Sequence, residues 1–139
     1  MNLGTLENRV KPFATDFHKK LNKYFKKHEK LILGLNRSQL IVEGINVEGE
    51  DLPSYKPITV TLRKAKGLQT GHMDLSMTGD FQKAMFIEFN SEGFTIESQD
   101  YKESSLNKRY EQVLGLTNEN LYNLVKNQIM PMIINEIFK

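Results

Sequence analysis

"MDLSMTGDFQKAMFIEFNSEGFTIES", residues Met73 to Ser98, carries the pattern that decides the fold class. Thr78-Gly79-Asp80 reads as a helix start, with Thr78 as the N-cap of one or two turns holding Phe81 and Ala84. From Met85 the period shortens to two. Met85, Ile87 and Phe89 share one face, with Glu88 and Asn90 on the other. Phe94, Ile96 and Ser98 then alternate with Thr95 and Glu97. The turn signal Asn90-Ser91-Glu92-Gly93 joins the two runs, which predicts a β-hairpin over 84–98. A two-stranded hairpin is marginal alone in water, so it must rest on another element.

The apolar side of the first segment is the natural support. Leu6, Val10, Phe13, Phe17, Leu21, Tyr24, His28, Leu31 and Ile32 recur at spacings of three or four. At 3.6 residues per turn they cover roughly a third of a helix circumference. Lys19, Lys20, Lys23, Lys26, Lys27 and Lys30 fall on the far side. Pro12 favours a start near Lys11, since proline suits the first helical position; otherwise the helix kinks there. Gly34 reads as the stop. The expectation is one long basic amphipathic helix over 11–33.

Beyond it, Asn36 and Gln39 resemble a capping box, and Gly44 a second helix stop. A short helix from Arg37 to Glu43 fits, with a strand through Leu40–Val42 as its β-branched rival. Residues 44–71, rich in Gly, Pro and charge, read as an extended loop, and loops of that length inside small domains tend to be functional or partner-ordered. "KESSLNKRYEQVLGL" reads as a short helix ending near Tyr110. Thr117 caps a final helix over 118–138, with a stripe of Leu121, Leu124, Val125, Ile129, Met132, Ile133 and Ile137 and a kink expected at Pro131. The expected class is α+β: a long N-terminal helix and a C-terminal helix packed on a small antiparallel sheet, in one domain over 1–139.

Composition narrows the function. The chain has no cysteine, so neither disulfides nor thiolate chemistry enter, and no apolar run approaches the ~20 residues of a bilayer span. "MNLGTLENRV" lacks the basic-then-apolar layout of a secretion signal. His18, His28 and His72 show no metal-ligand spacing, and His28 sits on the apolar side of its helix. "KGLQTGH" has two glycines but not the spacing of a phosphate loop, and Glu48, Glu50 and Asp51 lack calcium-loop spacing. No Ser, His and acid arrangement stands out. The expectation is a protein without enzymatic activity, cofactor or metal.

Net charge is only +2, yet "HKKLNKYFKKHEK", His18 to Lys30, holds six lysines and one acid. Such a stripe either neutralises phosphates in nucleic acid or is the solvated face of an amphipathic helix. The lysine face carries no arginine and no stacking aromatic, which favours the solvated face.

"YKPITVTLRKAKG" followed by "LSMTGDF" resembles the phage virion-morphogenesis and tail-completion proteins. In that family a Tyr/Trp-x-Pro-x-x-x-Thr-x-x-x-Lys segment precedes a Leu-x-x-Thr-Gly-x-Leu/Phe element and a strand pair. Tyr55, Pro57, Thr61 and Lys64 match the first pattern, and Leu75, Thr78, Gly79 and Phe81 the second. "RYEQVLGLTNENL" matches the start of the family's last helix in Leu114, Gly115, Leu116, Thr117 and Glu119, while Glu111 replaces the glycine after the aromatic and the arginine-proline-phenylalanine is missing. The region from Leu35 to Tyr55 also resembles small neck or tail proteins of phages with Bacteroidetes-type hosts. The resemblance spans roughly 36–139 and implies a structural virion protein of the neck or tail, made in the host cytoplasm, without catalysis. It implies copies of itself in a ring, a hexamer or dodecamer, with other neck, portal-adaptor or tail proteins as partners and no membrane. Leu52, Tyr55, Pro57, Thr61 and Lys64 would then lie at a subunit interface. Lys19, Lys20, Lys23, Lys26, Lys27 and Lys30 would be the face for non-specific contact with packaged DNA. The alternative is a small basic DNA-associated protein acting through the same lysine helix.

Overall fold

A computed structural model of the chain describes residues 2–71, 73, 83–91, 93–99 and 113–138. The architecture is α+β, with helices packed on a two-stranded antiparallel sheet. The Thr78 cap, the Leu75–Phe81 motif and the short helix expected before Tyr110 lie outside the described residues.

The N-terminal helix differs from the expected single rod over 11–33. It starts at Leu3 and falls into α1 (Leu3–Thr15), α2 (Phe17–Lys27) and α3 (Glu29–Ser38). The early start has a local cause: the Asn2 side chain accepts from the Thr5 N–H at 2.8 Å, an N-cap that pays no heed to Pro12 further along. Pro12 is accommodated inside α1. At His28 the backbone leaves the helical region (φ −109°, ψ 20°), and its N–H bonds Phe25 O instead of Tyr24 O. The ring Nδ1 lies 3.0 Å from Tyr24 O, the acceptor an unbroken helix would offer that N–H. Asp16 makes the other break. The breaks shift the apolar stripe, so Phe25 and Leu33 enter the core while Val10, Phe17 and Leu31 are left exposed.

Gly34 does not stop the helix. The chain runs through it into a π-helical turn, Gln39–Glu43, and stops at Gly44 (φ 65°), where the Gly44 and Ile45 N–H groups both bond Gln39 O. Leu33, Asn36, Gln39 and Leu40 are buried on either side of the glycine, so tertiary packing outweighs its poor helix propensity. The strand through Leu40–Val42 does not form.

Asn36 and Gln39 are no capping box either. Both side chains are fully buried and grip an extended stretch 77 and 76 residues away. Asn36 donates to Val113 O (3.0 Å) and accepts from the Gly115 N–H (2.9 Å). Gln39 donates to Gly115 O (3.1 Å), and its Oε1 accepts from the Thr117 N–H (3.1 Å) and the Asn120 side chain (2.7 Å). The backbone of 113–117 thus finds in two amides the partners a neighbouring strand would supply.

Residues 44–71 are not an extended loop. An Ile45–Asp51 bridge closes a turn in which Asn46 Oδ1 accepts from the Glu48 and Glu50 N–H groups. Leu52 then packs with Leu40 and Val113 in a second small core. Helix α4 (Pro57–Ala65) follows, with Pro57 in its first turn as proline's fixed φ favours.

Strands β1 (Met85–Asn90) and β2 (Gly93–Ser98) form the hairpin, paired Met85–Ser98, Ile87–Ile96 and Phe89–Phe94. Met85, Ile87 and Ile96 are buried against Phe13, Tyr24, Phe25, Ile32 and Leu33, the support the hairpin needs. The C-terminal helix comprises α5 (Asn118–Leu124), a π-helical turn (Val125–Ile129) and α6 (Met130–Phe138). Thr117 caps it, accepting from the Asn120 N–H at 3.2 Å. The disturbance expected at Pro131 falls just before it: the Met130 N–H reaches five residues back to Val125 O. That wider turn relieves the clash between a proline ring and the carbonyl four residues earlier.

An added Cβ at Gly34 meets nothing within 4 Å, so Gly34→Ala should raise stability by about 0.5–1 kcal/mol in denaturant titration. Asn36→Ala leaves Val113 O and the Gly115 N–H buried and unpaired, and should lower it by about 2–4 kcal/mol in the same assay.

Candidate functional site

Two surfaces gather the residues singled out by sequence. The first is the lysine face. Lys19, Lys23, Lys26 and Lys27 of α2 and Lys30 of α3 are exposed, opposite the buried Tyr24, Phe25 and Ile32. Lys20 departs from this set. Its Nζ lies 2.9 Å from Glu136 and 5.0 Å from the centre of the Phe13 ring, so it fastens α6 to the N-terminal helices. Lys26 Nζ sits 5.4 Å over the Phe89 ring with its charge still facing water. Among the described residues no ion pair joins the other lysines of this face to an acid.

The second surface is α4. Of the five residues expected at a subunit interface, Leu52 is excluded, because it is consumed by the chain's own second core. Tyr55 is half-buried under Arg63, whose guanidinium carbon lies 4.5 Å from the ring centre. Pro57, Thr61 and Lys64 are exposed, and Thr61 donates to Pro57 O at 3.2 Å. Sequence reasoning missed the residues that matter most here. Arg63 is almost completely buried and donates from Nε to Gln69 O at 2.8 Å, while the Leu68 N–H returns to Arg63 O. This side chain holds α4 and the turn at Gly67 (φ 70°) together. Ile58 and Leu62, one turn apart, are 71% and 54% exposed. Their i, i+4 spacing after Pro57 was the available signal, hidden by reading the segment as loop.

The described residues also line two concavities. A groove of about 620 Å³ runs beside β2 and is lined by Leu21, Phe94, Leu114, Leu116, Leu121 and Val125 among others. A smaller one of about 430 Å³ is lined by Glu43, Glu48, Glu119 and Thr117 among others. Among the described residues no three His, Asp or Glu side chains converge in a metal-binding arrangement. His28 is occupied with Tyr24 O, the His18 ring lies 5.8 Å from Phe17, and His72 is outside the described residues. No described helix is long and apolar enough to cross a membrane. The chain matches no family model, no curated protein and no solved structure.

If Arg63 secures α4, Arg63→Met, which keeps most of the packing, should lose about 1.5–3 kcal/mol. Limited trypsin digestion should then cut faster at Lys64 and Lys66 than in the parent chain, while the site at Lys126, in the π-helical turn Val125–Ile129, keeps its protection.

Proposed function

We propose that the chain is a non-enzymatic structural protein of a tailed-phage virion, a ring-forming subunit of the head–tail joint in the neck or tail-completion layer. The observation that carries this reading is α4. Ile58 and Leu62 stand largely exposed on a helix anchored by a buried arginine, within the Tyr55–Lys64 segment that resembles the family. Such an anchored apolar pair is suited to insertion into a neighbouring subunit or ring. Because a two-fold contact cannot close a ring larger than a dimer, the subunits join through two different surfaces, head to tail. Other neck, portal-adaptor or tail proteins meet the ring above and below, and the chain resides in the virion after synthesis in the host cytoplasm.

A second reading has its own observation. Five exposed lysines without an acid partner among the described residues suit a small basic protein bound to DNA through phosphate neutralisation. That contact would be sequence-independent and weaken steeply with salt.

Quantitative mass spectrometry of purified phage particles separates the two. The ring reading expects about six or twelve copies per particle, the number of one or two cyclic rings. Absence from particles sinks it. In the same system, Ile58→Asp with Leu62→Asp should leave the melting temperature of the free chain nearly unchanged and strongly reduce tail attachment.

A further inference from the structure

We propose that copies of this chain bind one another head to tail, the lysine face of α2 in one copy receiving an acidic corner of the next. This deepens the ring reading and takes from it only the need for two unlike contact surfaces. The corner is built from the stretch Ser38–Tyr55, which holds Glu43, Glu48, Glu50 and Asp51 and no basic residue. All four are exposed. Glu119, in the first turn of α5, joins them: with Glu43 and Glu48 it lines one concavity. The corner is rigid, because Asn46 Oδ1 takes the Glu48 and Glu50 N–H groups at 2.9 and 3.0 Å and the Ile45–Asp51 bridge closes the turn. Among the described residues no ion pair engages these five carboxylates.

Opposite charge is available on the same chain but out of reach. Helical rise between Lys30 and Glu43 places the lysine face and the corner about 20 Å apart. That is more than twice the roughly 8 Å over which salt screens charges at physiological strength, so neither patch neutralises the other within one molecule. The lysines are also mutually unfavourable: Lys19, Lys23 and Lys27, and Lys26 and Lys30, are like-charge pairs at i, i+4 spacing. An acidic partner relieves that repulsion, and the chain itself carries a surface of matching charge, facing elsewhere and held in a fixed shape. Association through two unlike patches leaves one of each free at the ends, so it propagates or closes into a ring. DNA matches the lysines but leaves the acidic corner without a role, which is why a second copy is the better occupant.

The test uses two triple variants of the full chain, Lys23→Glu/Lys26→Glu/Lys27→Glu and Glu48→Lys/Glu50→Lys/Asp51→Lys, each checked for unchanged helical circular dichroism. In sedimentation at low salt the parent should form oligomers that dissociate at high salt. Each variant alone should associate more than about tenfold more weakly, since like charges now face each other. An equimolar mixture should recover association, because each reversed patch meets its complement on the other variant. A parent that stays monomeric at every salt concentration overturns the proposal, as does oligomerisation that neither variant weakens or a mixture that fails to recover. If the lysine variant loses affinity for a random-sequence DNA duplex while oligomers persist, the face is a nucleic-acid surface and the proposal also fails. Recovery in the mixture together with absence from phage particles would uphold this contact while ending the joint reading.

Discussion

Two buried amides, Asn36 and Gln39, connect the halves of this molecule. They project from the end of the N-terminal helices into a space where the backbone of 113–117 would otherwise be stranded without partners. In a low-dielectric interior such bonds are strong when complete and costly when half made, so the pair acts as a unit. Several features follow from it. Thr117 is delivered to the position where it caps α5, and Asn120 is tied to the same glutamine. Val113 is brought onto Leu40 and Leu52. Gly115 must take a φ of 145° and let Val47 approach so closely that a Cβ would meet its Cγ1 at 2.9 Å, which makes glycine the fitting residue there.

The sheet depends on the helices rather than the reverse. Two strands alone are marginal in water, and this pair is held by Phe25 against Phe94, at 4.9 Å between ring centres, and by Met85, Ile87 and Ile96 in the core. The N-terminal helices meet that sheet in segments, α2 against β2 and α3 against β1, with the break at His28 between them. Similar economy marks the two π-helical turns. One ends the N-terminal helices at Gly44 and the other places its extra residue just before Pro131. Both change direction or spacing without interrupting the buried rows of Leu40 or Ile129.

The surfaces that remain are organised by the same anchors. Arg63 is buried so that Ile58 and Leu62 can be displayed, and Asn46 folds the turn that holds the carboxylates outward. Lys20 is taken inward to Glu136, and its five companions stay in water. Structural side chains are thus spent on holding exposed ones in place.

Much of this was legible in the residues alone. The alternation over 85–98, the hairpin, the Thr117 cap and the stop at Gly44 were readable because each depends on groups a few residues apart. The lysine face was equally plain, since helical periodicity sets it. What tertiary structure alone decided involves distant partners. Gly34 is helical because Leu33 and Asn36 are buried on either side of it. Asn36 and Gln39 look like a local capping box until a stretch 77 residues away competes for the same amides and wins, its own backbone having nowhere else to bond. Leu52 leaves the expected interface for a core shared with Val113, and Arg63 turns a reading of loop into a helix. Local chemistry wrote the elements of this chain; the burial of polar groups far apart along it determined how they meet.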